Sequence, residues 1–337
     1  MEFNSKIQPT ATIAILKFMI QITTDLLKAK QILENDGLVA IPTETVYGLA
    51  GNIYSEKAIQ KIFETKKRPL FNPLIVHIAS ADRLKEIVSE IPAKAQQLAD
   101  AFWPGSLTLV LKKNAHIPDS ITAGKDTVAV RVPNHDLTLK LLRSLDFPLA
   151  APSANPFGSI SPTTAEHVAK YFPLDLAMVL QGGACKNGIE STIIGFENNE
   201  AVLYRLGSIS IEEIEAVIGL IQIRNNKESV PNAPGMLSRH YAPKTKTILV
   251  DNAELELKKY PNAKVGLLVF QNTITTSKHV VTEVLSKTGD LKEATAHLYA
   301  AMHRLDNQKL DLIIAEKFPD IELGTSINDR LERATKK

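Results

Sequence analysis

Short apolar runs alternate with amphipathic segments along most of the chain, and this spacing predicts strands that alternate with helices. The strand-like runs are bounded by Gly, Pro or Asn, as in LVAIP, PLIVHIA, LTLVLK, TVAVRVP, STIIGF and AVLYRL. The helix-like segments include SEKAIQKIFETK, with Ser55 as the expected N-cap, and TTAEHVAKYF, with a predicted capping box of Thr163 and Glu166. The alternation is typical of an α/β protein.

The regular pattern is interrupted at residues 221–246, which are rich in Pro, Asn and Ser and are predicted to form a linker. A smaller α/β unit is expected at residues 247–337, with strands at TKTILVD, AKVGLLVF and LDLIIAEKF. The segment before the linker, residues 22–220, is predicted to be the larger domain. Residues 1–21 are interpreted as an extension, because the stretch ATIAILKFMI is too short to span a membrane and lacks a cleavage site.

Composition narrows the classes of function. The chain has 337 residues, of which 44% are hydrophobic, and its 39 basic and 37 acidic side chains give a net charge of +2. This balance argues against a general nucleic-acid coat, although it is compatible with a local basic pocket. The single cysteine, Cys185, excludes an intramolecular disulfide and a cysteine-rich zinc site. We therefore expect a cytoplasmic protein that does not associate with membranes.

Several common catalytic motifs are absent from the sequence. Gly183 and Gly188 have the spacing of a phosphate-binding loop, but Ile189 and Glu190 follow where such a loop needs Lys and Ser or Thr. The chain also contains no G-x-S-x-G elbow, no H-E-x-x-H metal motif and no G-x-G-x-x-G turn in its C-terminal part. An enzyme with this sequence must act mainly by positioning its substrates and by charge.

Two segments in the first half of the chain carry candidate ligand groups. In KKRPLFNPLIVH, Lys66 and Arg68 could bind an anion or could simply form the solvated end of a helix. In IPTETVYGLAGN, Thr45 lies in a polar loop after a predicted strand, where α/β folds bind ligands, although a plain connection is an equal alternative. His77 closes the first segment, and a lone histidine in a strand is more often a core residue.

The loop APSANPFGSISPTTAEHV holds the densest group of small polar residues. Ser153 and Asn155 lie between two prolines, and the helix predicted to follow would offer free backbone N–H groups to an anion. Ser191 and Arg205 lie at the ends of two further predicted strands, where turn chemistry alone would also explain them.

Taken together, these segments resemble the YrdC-like threonylcarbamoyl-AMP synthases. PTETVYGLAGN, KKRPLFNPL, FWPGSLTLVL, DTVAVRVP, PSANPFGSISPT and GIESTI occur in the order seen in that family. Its K-x-R and S-x-N pairs correspond to Lys66 with Arg68 and Ser153 with Asn155. PGMLSRHYAP, followed by a further α/β unit, resembles the two-domain branch. The resemblance implies a twisted mixed sheet around a deep basic cavity, together with a smaller Rossmann-like C-terminal domain.

The resemblance also implies an activity. Enzymes of this family condense L-threonine, bicarbonate and ATP to threonylcarbamoyl-AMP and pyrophosphate, which is a nucleotidyl transfer. A downstream tRNA threonylcarbamoyl-transferase machinery then modifies an adenosine beside the anticodon. Weak direct contact with tRNA is compatible with the sequence.

The matching motifs assign individual residues. They imply that ATP contacts Arg68, Asn72, Thr127, Ser153, Asn155, Ser161, Arg205 and Tyr241. They imply that threonine contacts Thr45, His77, Arg131, Ser191 and the backbone of Ala151. Lys66 and Arg68 are the expected catalytic residues, because their charge would stabilise the departing pyrophosphate.

Three further expectations concern the surroundings of the site. No metal is expected on protein ligands alone, and Mg²⁺ would arrive with ATP and be held mostly by phosphate and water. The linker, through His240 and Tyr241, is predicted to cover bound nucleotide and to exclude water.

Two alternative functions stay open from sequence: a carbamoyl-adenylate-forming carbamoyltransferase, whose zinc-finger cysteines are missing here, and a non-catalytic RNA-binding protein.

Overall fold

The computed structural model of the protein describes residues 20–224, 240–271 and 279–336. In chain order the first range contains β1 (Gln21–Thr23), α1 (Leu26–Glu34), β2 (Val39–Ile41), β3 (Gly48–Asn52), α2 (Glu56–Lys66), β4 (Ile75–His77), a 3-10 turn (Ala81–Arg83), α3 (Leu84–Ile87), α4 (Ala93–Phe102), β5 (Leu107–Lys112), α5 (Asp119–Thr122), β6 (Thr127–Arg131), α6 (Asp136–Ser144), β7 (Leu149–Ala150), α7 (Ala165–Tyr171), β8 (Met178–Leu180), β9 (Thr192–Glu197), β10 (Glu200–Arg205), α8 (Ile211–Ile218) and β11 (Gln222–Ile223). The remaining ranges contain β12 (Thr247–Val250), α9 (Ala253–Leu257), β13 (Val265–Val269), β14 (Val280–Val284), α10 (Leu291–Asp306), β15 (Leu312–Glu316) and α11 (Glu322–Thr335).

The predicted α/β class is confirmed in the described part of the chain. The first domain is built on a mixed 11-stranded sheet with the order β1-β8-β2-β3-β7-β4-β6-β5-β9-β10-β11. The C-terminal domain is built on a 4-stranded sheet with the order β12-β15-β13-β14, in which every pair is parallel. Residues of β13 are buried throughout, as expected for a parallel strand covered on both faces by helices.

The large sheet continues past the predicted boundary at residue 220. β11 pairs in parallel with β10, with Gln222 opposite Val202 and Ile223 opposite Leu203. β11 consists of only Gln222 and Ile223, and it precedes the stretch that is rich in Pro and Asn. The part of the predicted linker that lacks this composition therefore extends the sheet.

The helix starts test two predictions made from capping residues. Ser55 is the N-cap of α2, and its hydroxyl accepts a hydrogen bond from the Ala58 N–H at 3.1 Å, as predicted. The capping box predicted for α7 is wrong by one residue. Thr164 is the N-cap and accepts from the His167 N–H, whereas the Thr163 hydroxyl is buried and lies 3.4 Å from His167 Nδ1.

The two domains share a hydrophobic cluster. Val46, Ile160 and Ile189 of the first domain pack in one buried cluster with Leu298 and Met302 of α10. Burial of such apolar surface stabilises an interface by about 25 cal/mol for each Å² removed from water. The C-terminal domain is therefore packed against the first domain and is not merely tethered to it.

Gly188 lies where the first domain closely approaches the backbone of α10. Its φ of 74° lies in the left-handed region, which favours glycine. A Cβ at this position would also lie 2.4 Å from the Ala296 carbonyl oxygen of α10. Residues 188–192 (the GIEST segment) can therefore contact this helix only with glycine at residue 188.

Parts of two predicted regions, residues 1–19 of the extension and residues 225–239 of the linker, lie outside the described residues. Within the described ranges, no helix is both long and apolar enough to cross a membrane.

Candidate active site

A cavity lies where several strands of the large sheet end, and the loops that follow or precede these strands surround it. Its lining residues are Thr43, Thr45, Val46, Gly48, Arg68, Pro73, Ile75, His77, Arg131, Ala151, Pro152, Ser153, Glu190, Ser191, Arg205, His240 and Tyr241. Arginines contribute charge from three separate segments of this wall, which favours an anionic ligand.

Arg131, at the end of β6, is held in place by several acceptors. Its Nε donates to the Gly105 carbonyl oxygen at 3.1 Å, and its Nη1 donates to Thr45 Oγ1 at 2.9 Å. Glu44 lies behind the lining and forms an ion pair with Arg131 at 2.6 Å. A guanidinium with a fixed plane can bind a carboxylate through two parallel hydrogen bonds. This arrangement suits the carboxylate of an amino acid.

His77 lies beside Arg131, because β4 and β6 pair in parallel with these two residues in register. Its Nδ1 is 3.3 Å from the Ile75 carbonyl oxygen, which can only accept, so Nδ1 carries the hydrogen and Nε2 keeps a lone pair. Burial, together with the Arg131 charge, lowers the pKa of His77 to about 3. His77 is therefore a neutral side chain that can accept a hydrogen bond at Nε2.

Arg205, at the end of β10, is oriented by Ser191. Its Nε and Nη2 donate to the Ser191 carbonyl oxygen at 3.1 and 2.8 Å, and Nη2 also donates to Ser191 Oγ at 3.0 Å. Ser191 Oγ lies 2.7 Å from Thr108 Oγ1. The strand ends thus bring Ser191, which the resemblance assigned to threonine, and Arg205, which it assigned to ATP, into direct contact in the wall.

Arg68 enters the wall because the chain reverses after α2. Lys67 adopts a left-handed conformation with φ of 51° and ends the helix, and Arg68 then donates to the Asn72 and Pro73 carbonyl oxygens at 3.2 and 2.8 Å. Burial, with the nearby Arg205 charge, lowers the pKa of Arg68 to about 9, so the side chain is still a cation near neutral pH. The Asn72 side chain is buried behind this wall, and neither of its polar atoms has a hydrogen-bond partner among the described residues.

Lys66 and Asn155, two of the four motif residues, do not line the cavity. The Lys66 ammonium donates to the carbonyl oxygens of Ser153 and Asn155, the latter at 2.6 Å. The Asn155 side chain donates to the Pro156 and Ser159 carbonyl oxygens at 3.1 and 2.8 Å. Ser153 does line the cavity, and both side chains lie behind it. They are held there because buried backbone carbonyl groups of this tight loop need hydrogen-bond donors.

Thr127 and Ser161 also lie outside the lining. Thr127 begins β6 and borders an open groove whose lining shares no residue with the cavity. Thr127 lies on the same face of the strand as Arg131, because side chains of a strand alternate between its faces. Ser161 is buried and donates to Glu190 Oε1 at 2.6 Å. The anion site predicted at the start of α7 is not part of the wall, which takes Pro152 and Ser153 from this loop instead.

His240 and Tyr241, at the end of the predicted linker, reach the cavity as predicted. The Tyr241 ring stacks on that of Tyr299, with 5.6 Å between ring centroids. The following Ala242 N–H donates to the Gly158 carbonyl oxygen at 2.8 Å, which joins this segment to the serine-rich loop. The predicted cover over the nucleotide falls largely on residues 225–239, outside the described residues.

Glu44 and Glu190 were not recognised as site residues from sequence. The Glu190 carboxylate accepts from the Tyr299 hydroxyl at 2.9 Å and from Arg330 Nε at 3.0 Å. Both glutamates lie inside segments that the motifs had identified. Their partners are far away in sequence, so no spacing rule could have connected them.

Fold and site together define a two-domain α/β protein with an arginine-lined cavity for anionic ligands. Residues 31–207 match the Sua5_yciO_yrdC family model, described as "Telomere recombination". Residues 209–335 match the model described as "Threonylcarbamoyl-AMP synthase, C-terminal domain". The chain therefore belongs to the threonylcarbamoyl-AMP synthase family.

Individual relatives agree with this assignment. The chain is 41% identical over 312 residues to the threonylcarbamoyl-AMP synthase of Pyrococcus abyssi (strain GE5 / Orsay). This alignment covers 88% of this chain and 90% of that protein. The chain is 39% identical over 318 residues to the threonylcarbamoyl-AMP synthase of Bacillus subtilis (strain 168), covering 91% and 92% respectively. The crystal structure of P. abyssi Sua5 complexed with L-threonine superimposes with a TM-score of 0.86 at 38% identity, over 94% of this chain and 97% of that chain.

Proposed function

We propose that this protein makes threonylcarbamoyl-AMP from L-threonine, bicarbonate and ATP, with release of pyrophosphate. The observation that carries the proposal is that one cavity joins two sets of groups. Arg131 with Thr45 suits an amino-acid carboxylate, and Arg68 with Arg205 suits phosphates. The named relatives favour this reaction over carbamoyl transfer or RNA binding alone.

Threonine would be oriented by groups at the ends of β4 and β6. Its carboxylate pairs with Arg131, and its amine faces His77 and the Ala151 carbonyl. The Ala151 N–H is already donated to the Ile75 carbonyl oxygen at 3.1 Å, so the carbonyl is the backbone group left for the substrate. Bicarbonate gives CO₂ with loss of hydroxide, the amine forms an N–C bond to that CO₂, and the proton the amine loses leaves with the hydroxide as water. Neutral His77 can orient the amine by accepting a hydrogen bond from its N–H at Nε2.

The second step is an attack by the carbamate oxygen on the α-phosphorus of ATP. A new P–O bond forms, the bond from the α-phosphorus to the bridging oxygen breaks, and pyrophosphate leaves with its negative charge. Arg68 and Arg205 would stabilise that charge, and Ser153 would position the phosphates. The substrate supplies its own nucleophile, so the proposed reaction is a nucleotidyl transfer that needs no activated side chain.

Mg²⁺ would enter as part of the substrate, bound to the ATP phosphates. Among the described residues, no three or more His, Cys, Asp or Glu side chains are grouped so as to hold a metal ion. Glu190, the carboxylate in the wall, already accepts from Ser161, Tyr299 and Arg330. This donor set fits a magnesium ion that keeps phosphate and water as its main ligands.

The product is a mixed anhydride and therefore an acylating agent. A downstream tRNA threonylcarbamoyl-transferase machinery would consume it by transferring the threonylcarbamoyl group to an adenosine amine. Enclosure of the product in a buried cavity would limit its hydrolysis before this transfer.

Pyrophosphate release tests the proposal. Full-length protein with ATP, Mg²⁺, bicarbonate and threonine should release pyrophosphate, and omission of threonine or bicarbonate should abolish the release. Arg68→Ala should keep the fold and lower the rate by about 10²–10³-fold, the scale of a lost transition-state donor. Release that ignores both threonine and bicarbonate would refute the proposed reaction.

A further inference from the structure

The C-terminal domain places a buried cation directly behind the wall of the cavity. Arg330, on α11, is 0% exposed, and its Nε donates to Glu190 Oε2 at 3.0 Å. Its Nη2 donates to the Leu206 carbonyl oxygen at 2.5 Å, directly after Arg205. Its guanidinium carbon also lies 5.0 Å from the centre of the Tyr241 ring. One side chain of the C-terminal domain thus contacts several segments that form the wall.

Glu190 is an unusual residue in a cavity that is to receive a triphosphate. An unpaired carboxylate there would repel phosphate and would attract the cations meant for it. Burial opposes ionisation, but the charges of Arg330 and Arg205 and the Ser161 hydrogen bond lower the pKa of Glu190 to about 2. Glu190 is therefore an anion at neutral pH, and both arginines lie within its electrostatic reach.

The two arginines have different geometry with respect to Glu190. Arg330 forms the direct ion pair, whereas the described bonds of Arg205 go to Ser191. The Arg330 Nη1 is also paired with Asp329 at 2.6 Å, so Arg330 stays anchored on α11. Arg330 thus neutralises Glu190 from outside the cavity and leaves Arg205 in the wall.

We propose that Arg330 is a positioning residue through which the C-terminal domain holds the Glu190 carboxylate in a direct ion pair, so that Glu190 offsets less of the Arg205 charge that faces ATP. This inference rests on the proposed function, because it assigns Arg205 to the ATP half of the cavity. The threonine carboxylate is assigned to Arg131 and Thr45, whose described bonds go to Gly105, Glu44 and each other and not to Glu190 or Arg330. The C-terminal domain consequently controls affinity for ATP and leaves affinity for threonine unchanged.

The proposal predicts an asymmetry that a merely structural ion pair would not show. Arg330→Met leaves Glu190 with Arg205 as its remaining cation and should weaken ATP binding by about tenfold, within the usual range of coupling between linked sites. Glu190→Gln removes the competing charge while its amide oxygen can still accept from Ser161, so ATP binding should become tighter. The double variant Glu190→Gln/Arg330→Met should recover most of the affinity lost in Arg330→Met.

The test is calorimetric titration of each full-length variant with MgATP in the absence of threonine, and separately with threonine in the absence of ATP. Arg330→Lys keeps the charge and should retain most of the ATP affinity, which also serves if Arg330→Met folds poorly. Arg304→Met is the matched control, because Arg304 of α10 forms an ion pair with Glu283 of β14 and neither residue lines the cavity. It should change neither affinity.

Three results would overturn the inference: unchanged ATP affinity in folded Arg330→Met, equal losses for ATP and threonine, or a loss in Glu190→Gln as large as in Arg330→Met. Because ATP affinity is measured without turnover, these outcomes are separate from a failure of the proposed reaction. That failure would appear as missing threonine-dependent pyrophosphate release in the unmodified protein.

Discussion

The Lys66 ammonium lies 2.6 Å from the Asn155 carbonyl oxygen and also donates to the carbonyl of Ser153. It joins the last turn of α2 to the loop that presents Ser153 to the cavity. Burial, with the nearby Arg68 charge, lowers the pKa of Lys66 well below its usual value. Lys66 therefore shapes the site by holding a loop, whereas Arg68 forms part of the wall itself.

Lys66→Met should destabilise the fold, because the buried Asn155 carbonyl oxygen loses its lysine donor and the Ser153 carbonyl oxygen keeps only the Asn155 N–H, at 3.0 Å. Each carbonyl left unsatisfied costs about 1–3 kcal/mol, and urea denaturation would measure the decrease in the free energy of unfolding. Lys67→Met is the control, since Lys67 is exposed at the adjacent position and should show little change. Equal stability of the two variants would contradict this role of Lys66.

Arg131→Lys should weaken threonine binding although it preserves the charge. A lysine cannot reproduce the planar donors that contact Gly105, Thr45 and a substrate carboxylate together. We expect the dissociation constant for threonine to rise by roughly 10-fold or more, the equivalent of one charge-assisted hydrogen bond. Calorimetry should show unchanged affinity for MgATP, and a parallel loss of ATP affinity would argue against separate halves of the cavity.

The pairing of His167 with His303 makes the domain interface sensitive to acid. The rings stack with 3.9 Å between centroids, and burial lowers the pKa of His167 to about 4 and that of His303 to about 3. Above about pH 6.5 both rings are neutral whether the chain is folded or unfolded. As pH falls below 6.5, the unfolded chain binds protons that the folded chain excludes, so stability is lost.

The loss should reach about 1.4 kcal/mol per pH unit for each such histidine between pH 6.5 and 5. His303→Gln should reduce this slope, and the exposed His116→Gln should not. Unfolding free energies from urea titrations at several pH values would measure both slopes. An unaltered slope in His303→Gln would show that the ring pair is not responsible.

Gly188→Ala should separate the GIEST segment from α10. A Cβ there would meet backbone oxygens of Thr295 and Ala296 at 2.5 and 2.4 Å, in addition to the strain of a left-handed residue. Gly183→Ala in the same loop is the matched control, because its φ is 79° but nothing lies within 4 Å of the added atom.

Gly183→Ala should cost about 1–2 kcal/mol of backbone strain. Gly188→Ala should cost a further 1–3 kcal/mol or so for the forced displacement, and it should lower ATP affinity because Glu190 moves with the loop. Denaturation and calorimetry on the two variants would measure these differences. If the two substitutions lowered stability and ATP affinity equally, the contact with α10 would not explain why residue 188 is glycine.

The sequence predicted the residues that short motifs place on loops beside strand ends. Arg68, Arg131, Ser153 and Arg205 do meet in one cavity, because strand register and proline-bounded loops fix their directions locally. Lys66 was assigned to phosphate and instead holds a loop. The left-handed turn at Lys67 separates the directions of its two neighbours, and a spacing of two residues does not reveal such a turn.

The remaining part of the site depends on contacts between domains. Glu190 and Arg330 are 140 residues apart, and each occupies an ordinary position in its own segment. Their pairing follows from how α11 packs on the first domain, which local patterns of polarity do not encode. Glu44 is a similar case, because its role depends on the end of a strand, β6, that comes much later in the chain.

The most direct test of the account is the mass of the adenylate formed from ¹³C-bicarbonate and ¹⁵N-threonine. The account predicts a single adenylate that carries both labels, formed together with pyrophosphate, since the carbamoyl carbon comes from bicarbonate and the nitrogen from threonine. An adenylate with ¹⁵N but without ¹³C, or pyrophosphate without any labelled adenylate, would contradict it.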